Sequence, residues 1–379
     1  MTVQTVISQK SANSSLASRI DTLARSFSAE AAAHDAEDRF AAGNFAKLKQ
    51  AKLLSAGVPA ELGGGGASYR DLAEMLRQLA RGCSGTALAL AMHTHPLAAT
   101  VRRFRTDPAA VEPLLRRIAT EELMLLSTGG NDWLDGAGTA VAVDGGYRFS
   151  GRKRFVSGCE AGNILMTMAV CGDEVLHAGI PMNAEGVKIE QTWRVLGMRA
   201  SGSHDVVLKD VFVPAASVAI KRTPGQWHPF FHLVSIVAFP LVYAVYRGVA
   251  ENLRDQVVAQ SLRKRDSADA QQQIGMLDTA LMAAQAAHDQ MVALGESAAP
   301  GPDASAKVMT LKRAMTESLL SVADRAMDAA GGSAFYRDNA VERLFRDLQA
   351  ARYHPLTALP QQRLAGRVAL GLTPDGKAA

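Results

Sequence analysis

Cysteine, aromatic residues and excess charge are all scarce in this sequence of 379 residues. The three cysteines, Cys83, Cys159 and Cys171, show neither CxxC spacing nor an even count, which argues against disulfides and a structural metal site. Aromatic residues make up 6% of the chain, and the formal charge of +4 is spread over short clusters. A nucleic-acid-binding surface needs more charge than this, with aromatic residues among it. We therefore expect reduced thiols, a cytoplasmic location, and no metal or nucleic acid partner.

Long hydrophobic runs are also missing, and so is any recognisable signal peptide. The N-terminal stretch MTVQTVISQKSANSS is polar, without the apolar centre of a secretory signal. The run LVSIVAFPLVYAVY at 233–246 contains Pro240 and is shorter than the roughly 18 residues that a membrane span requires. With 48% hydrophobic and 21% charged residues, the chain has the composition of a soluble globular protein. We expect no membrane association and interpret the run as a buried helix.

Residue periodicity divides the chain into three parts, 1–122, 123–222 and 223–379. In the first part, YRDLAEMLRQLARG at 69–82 places four apolar side chains on one helix face before a terminating glycine. The second part reads as a small antiparallel β domain with a turn at Ser150-Gly151. The third part returns to helices, and a long amphipathic helix in it is expected to end at Gly331-Gly332.

Three segments in this order carry a resemblance to a known family. They are GRKRFVSGCEAGNILM, LGMRASGSHDVVLKDVFVP and AMDAAGGSAFYRDNAVERLFRD. The chain resembles the acyl-CoA dehydrogenase superfamily of flavoproteins over nearly its whole length. The resemblance implies an α-helical N-terminal domain, a central antiparallel β domain and a C-terminal four-helix bundle. It also implies FMN or FAD between the β domain and the C-terminal helices, and a homo-oligomer, either a tetramer or a dimer of dimers.

The resemblance also implies cofactor-binding residues in the β domain. In RFVSG, Phe155 would pack on the flavin face and Ser157 would offer its hydroxyl to flavin N5. A small hydroxyl suits a ring nitrogen that changes protonation, because it can donate or accept. In LLSTGG, Ser127 and Thr128 resemble the residues that contact the flavin pyrimidine.

In the C-terminal part, the resemblance assigns Arg263, Gly331 and Gly332 to the cofactor. Arg263 begins the segment that grips the flavin phosphate in the family, and a guanidinium suits that task. The Phe-Gly pair that normally follows is lost. This change would suit FMN, or a flavin that is loosely held and exchanged.

The departures from the family concern its catalytic base. Acyl-CoA dehydrogenases commonly carry a glutamate just after the Arg-Asp helix, and here Pro355 occupies that position. No carboxylate stands between Asp347 and Asp375, and none occurs at 233–247, where other members carry the base. Proline cannot abstract a proton, so dehydrogenation of an acyl-CoA loses its usual agent.

These departures resemble the two-component flavin monooxygenases, such as dibenzothiophene monooxygenase. Members of that branch take reduced flavin from a separate flavin reductase and form a C4a-hydroperoxide that oxygenates a small organic substrate. The branch implies Ser157, His354 and His93 as catalytic residues. Histidine suits such a role because it exchanges protons near neutral pH. His95 is the alternative to His93, and a structural histidine or a helix-terminal His354 is the alternative to catalysis.

Two other functions stay open at this point. One is an FAD-dependent acyl-CoA dehydrogenase whose base lies at an unfamiliar position. The other is a degenerate paralogue that binds flavin without turnover.

Overall fold

The computed structural model describes residues 3–130 and 132–378, with side chains from Leu16 onward. The outermost residues of the first and third sequence parts therefore lie outside the described residues. The helices of the first part are α1 (Val3–Ala36), α2 (Ala42–Gln50), α3 (Tyr69–Gly82), α4 (Ser84–Phe104) and α5 (Pro108–Glu121).

Helix α3 shows how directly the sequence specifies the helices of this part. It begins after Ser68, whose side chain accepts from the Asp71 amide while Asp71 bonds back to the Ser68 amide. Its apolar face is buried, and it ends at Gly82 as predicted. A Cβ atom on Gly82 would lie 2.2 Å from the carbonyl oxygen of Ala24, so the glycine also permits the close approach of α1.

The central part is a single sheet. Its strands are β1 (Leu125–Ser127), β2 (Thr139–Val143), β3 (Gly146–Val156), β4 (Ile164–Cys171), β5 (Glu174–Pro181), β6 (Val187–Glu190), β7 (His204–Pro214) and β8 (Val218–Arg222). The strand order is β6-β7-β3-β2-β4-β5-β8, and β1 lies beside β4. Most neighbours are antiparallel as predicted, but β1 and β2 each pair with β4 in parallel.

The turn predicted at Ser150-Gly151 is wrong, because β3 runs through both residues without a break. The register against β7 shifts between Phe149 and Gly151, which marks an irregularity of the β-bulge kind. Gly151 has φ 151°, and a Cβ atom there would lie 2.9 Å from the Cα atom of Gly138. The glycine therefore serves a bend and a close approach inside the strand rather than a reversal of the chain.

The C-terminal part consists of α6 (Phe230–Ser261), α7 (Ala268–Ser297), α8 (Pro302–Ala330), α9 (Ala340–Gln349) and α10 (Ala358–Ala369). Helix α6 packs against α3, α4, α7, α8 and α9 and is the centre of the molecule. The run at 233–246 lies within it and is buried from residue 235 on, which confirms the predicted buried helix. Among the described helices, the α6 segment alone is long and apolar enough to span a membrane, but 83% of its most apolar window is buried inside the protein.

Candidate active site

Helix α4 and strand β1 place a histidine beside a serine. His95 Nε2 lies 2.9 Å from Ser127 Oγ, and Ser127 Oγ lies 3.5 Å from the sulfur of Met92. Burial, with a smaller contribution from His93, lowers the pKa of His95 to about 3. The imidazole is therefore neutral at physiological pH and can accept a hydrogen bond.

His93 lies on the same helix but has a different environment. Its Nε2 donates to the Leu54 carbonyl at 2.8 Å, and its Nδ1 accepts from the Leu125 amide at 2.9 Å. The side chain is 1% exposed. Because both ring nitrogens are engaged by buried backbone groups, the geometry does not support the catalytic role predicted for His93. His95 is the alternative that the sequence offered, and its ring forms a hydrogen bond with another side chain.

His354 lies beyond the end of α9 and beyond the single 3-10 turn at Ala350–Arg352. Its ring packs edge-on against Tyr246, with 5.3 Å between the ring centroids. Burial, with smaller contributions from Lys312 and His95, lowers the pKa of His354 to about 3. A helix C-terminus would favour the charged imidazolium, so helix capping does not account for this histidine.

Neither imidazole has an acidic partner. Among the described residues, no aspartate or glutamate forms a hydrogen bond or ion pair with His95 or His354, and none contributes to the pKa of either. The base that is missing at Pro355 is therefore not replaced by a carboxylate at these two histidines. The proton acceptors that the structure offers here are neutral imidazoles.

The segment that carries His354 meets the loop between β1 and β2. A Cβ atom on Gly130 would lie 2.5 Å from Cγ of Pro355, so only glycine permits this approach. Two buried cations, Arg222 and Lys153, bind backbone carbonyl groups of the β1–β2 loop and hold it in place. Arg222 donates to the Asp132 and Leu134 carbonyls, and Lys153 donates to the Ala137 carbonyl.

The end of β3 has the features expected of a surface for a planar ring. Phe155 has φ 58°, an unusual backbone conformation for a phenylalanine, and its ring is 63% exposed. Ser157 is buried, and its Oγ accepts from the Ser203 hydroxyl at 2.8 Å. The Ser157 proton is thereby left free to donate to a ligand. These residues fit a flavin ring, with an apolar face at Phe155 and a hydroxyl donor at Ser157.

The other predicted cofactor residues are more dispersed. Ser127 bonds to His95, and the Thr128 hydroxyl bonds to the Met166 carbonyl and to Thr167. Both hydroxyls thus have partners within the protein. Exposed sites near the ends of α6 and α8 hold the remaining predicted residues, Arg263, Gly331 and Gly332. None of the described acidic side chains forms an ion pair with Arg263, which leaves its guanidinium available for a phosphate.

Sequence reasoning missed two residues of this region. Lys312 on α8 is buried, and its ammonium group donates to the backbone of the segment that carries His354. It falls on the apolar stripe formed by Val308, Met309 and Met315, and this periodicity could have identified it as a buried lysine. Tyr246 on α6 is fully buried, and its hydroxyl has no hydrogen-bond partner among the described residues.

The chain matches known families and proteins over most of its length. The profile of the acyl-CoA dehydrogenase N-terminal domain matches residues 14–122, and that of the C-terminal domain matches residues 242–358. A putative acyl-CoA dehydrogenase of Bacillus subtilis is 29% identical over 89% of this chain and 92% of its own length. Dibenzothiophene monooxygenase of Mycolicibacterium goodii is 26% identical over 81% of this chain and 82% of its own.

The fold also has a solved counterpart. The structure of KijD3 in complex with FMN and dTDP-3-amino-2,3,6-trideoxy-4-keto-3-methyl-D-glucose superimposes with a TM-score of 0.87 and 26% identity, over 97% of this chain and 95% of that one. The two profiles together cover more than half of the chain, in the order that the three sequence segments predicted. The resemblance and the fold class are thus confirmed: the chain belongs to the acyl-CoA dehydrogenase family.

Proposed function

We propose that the protein is a two-component flavin monooxygenase. The observation that carries the proposal is a pair of neutral histidines, His95 and His354, in a region where a dehydrogenase of this family requires a carboxylate base. In the reaction, reduced FMN, oxygen and substrate yield oxidised FMN, water and a substrate that carries one oxygen atom. The dibenzothiophene monooxygenase similarity supports this branch of the family.

The cofactor of the proposal is FMN in its reduced form, supplied by a separate reductase. The similarity to an FMN-bound structure supports this choice, as does the loss of the Phe-Gly pair after Arg263. When bound, the flavin would supply the oxygen-transfer chemistry through the C4a-hydroperoxide of this branch. Phe155 would pack against its ring, and the Ser157 hydroxyl would donate a hydrogen bond to N5. Arg263, Gly331 and Gly332, of the same copy or of a neighbouring copy in a homotetramer, would hold the phosphate end.

The two histidines would act on the substrate. A neutral imidazole accepts a hydrogen bond from a phenol or an amine and would so orient the oxidisable centre of the substrate. His95 is oriented by Ser127, and His354 is oriented by its contact with Tyr246. The substrate class that fits these roles is a small organic molecule with an oxidisable aromatic, sulfur or nitrogen centre.

An acyl-CoA test separates this proposal from a dehydrogenase. We expect that straight-chain acyl-CoAs, added anaerobically to protein loaded with oxidised flavin, leave the flavin absorbance unchanged, since none of the described carboxylates bonds to His95 or His354 and the position of the usual base is Pro355. Chemical reduction of the same sample with dithionite is the positive control. Rapid bleaching in a 1:1 ratio by any acyl-CoA would show that the protein is a dehydrogenase with a displaced base.

The non-enzymatic alternative has its own test. Titration of the apoprotein with reduced and oxidised FMN and FAD measures whether the predicted surface binds flavin. Absence of binding by all four forms would remove the basis of the proposal.

A further inference from the structure

Lys312 makes an unusual set of contacts at the base of the active-site segment. Its ammonium group donates to the carbonyl oxygens of His354 at 3.1 Å and Leu356 at 2.7 Å, and to Oε1 of Gln361 at 3.3 Å. A lysine ammonium has three N–H donors, so these three acceptors use all of them. The side chain is 1% exposed. One buried cation thus joins α8, the segment after α9 and helix α10.

The charge of Lys312 has no acidic partner. No aspartate or glutamate among the described residues lies in contact with the ammonium, which instead lies 5.2 Å from the centroid of the Phe239 ring and 5.4 Å from that of Tyr243. Aromatic faces attract a cation but do not neutralise it. Burying an unpaired charge is costly, and a residue of similar volume without charge would pack there at lower cost. The ammonium form of Lys312 therefore costs stability, and its three hydrogen bonds offset part of that cost.

The position of the charge explains what it does to the segment. The carbonyl oxygens of His354 and Leu356 lie on either side of Pro355, and both accept from the same nitrogen. This arrangement fixes the backbone from which the His354 side chain extends. The positive charge also disfavours protonation of the His354 imidazole.

We propose that Lys312 is a positioning residue whose ammonium group clamps residues 354–356 and so holds His354 in place. The inference deepens the proposed function and rests on the role of His354 in it. Lys312 touches neither substrate nor flavin in this scheme, and it acts through the backbone that it binds.

The clamp makes turnover depend on pH. Burial lowers the pKa of Lys312 to about 7, with a smaller contribution from Arg313. The groups that face it keep their charge state in this range, because the pKa of His354 is lowered to about 3 and that of Tyr243 is raised. As the pH rises through about 7, the ammonium loses its charge and one of its three donors. We therefore expect kcat to fall on the alkaline side of this pH.

The test compares three variants of the full-length protein. Lys312→Met keeps the volume and removes the charge, Lys312→Arg keeps a charge at every accessible pH, and Lys307→Met is the control on the exposed face of the same helix. Amide hydrogen exchange over residues 353–361 is the readout that does not depend on activity. In Lys312→Met, we expect exchange in this segment to rise at least about ten-fold, the effect of one lost hydrogen bond to a charged donor. The control should match the wild type.

The activity of the same variants completes the test. We expect Lys312→Met to lower kcat about ten-fold with a smaller change in KM, and to abolish the alkaline fall. Lys312→Arg should recover part of the lost kcat and also lack the alkaline fall. Unchanged exchange over 353–361 in Lys312→Met would overturn the proposal. If exchange rises but His354→Ala itself leaves turnover intact, the clamp stands and the role proposed for His354 in the reaction fails.

Discussion

Replacing His354 by alanine should slow oxygen transfer by about 100-fold or more while leaving flavin binding unchanged. The expectation follows from the neutral state of the imidazole, which burial maintains by lowering its pKa to about 3. A misplaced substrate can slow a reaction by about 100-fold, and alanine cannot form the hydrogen bond that would orient it. The measurement is the single-turnover rate of product formation, with the enzyme in excess over reduced FMN and with oxygen and substrate in excess over both.

His95 should behave like His354, and His93 should not. We expect His95→Ala to slow turnover with little loss of folded-state stability, because its one described side-chain partner is the half-buried Ser127. His93→Ala is the matched control from the same helix. It leaves the Leu54 carbonyl and the Leu125 amide unpaired in the core and should cost about 2–4 kcal/mol of unfolding free energy. A His354→Ala variant with wild-type single-turnover rates would remove His354 from the mechanism.

Replacing Asp347 by alanine should have the largest effect on stability. The carboxylate is 3% exposed, and it accepts from the Ser84 hydroxyl at the start of α4 and from the Met198 amide in the sheet part. One side chain on α9 therefore connects all three parts of the chain. Removal leaves buried donors without an acceptor, each at a cost of about 1–3 kcal/mol. We expect a total loss of about 2–5 kcal/mol.

Chemical denaturation of Asp347→Ala against the wild type gives the number directly. Asp338→Ala is the control, since Asp338 is exposed just before the same helix and has no described side-chain partner. Surface substitutions of this kind stay within about 0.5 kcal/mol. Equal stability of the two variants would show that the Asp347 contacts do not hold the three parts together.

The contrast between α3 and β3 shows which local structure the sequence predicts. Helix α3 is recovered from its apolar stripe and its terminal glycine because both act within a few residues. The turn at Ser150-Gly151 is wrong because a glycine signals an unusual φ but not its purpose. Gly151 is explained by the close approach of Gly138. Gly138 precedes β2 in the chain, so it is not a sequence neighbour of Gly151.

The active site is predictable only in part, for the same reason. The motif around Phe155 and Ser157 is local and directs attention to the end of β3, where an exposed ring lies near a buried hydroxyl. The choice between His93 and His95 depends on where Leu54, Leu125 and Ser127 lie, and no periodicity within α4 encodes this. The role of Lys312 depends on carbonyl groups more than forty residues away along the chain. Residue types and apolar stripes along helices identify candidate site residues. Contacts between segments that are distant in the chain determine the role of each candidate.

The reaction of the reduced protein with oxygen tests the proposed monooxygenase most directly. Wild-type protein loaded with reduced FMN is mixed with oxygenated buffer in a stopped-flow spectrophotometer, and absorbance spectra are recorded with time. The account predicts a transient species, distinct from both reduced and oxidised FMN, that forms without substrate and decays with product formation when substrate is present. Direct conversion of reduced to oxidised FMN, with no such species under either condition, would contradict it.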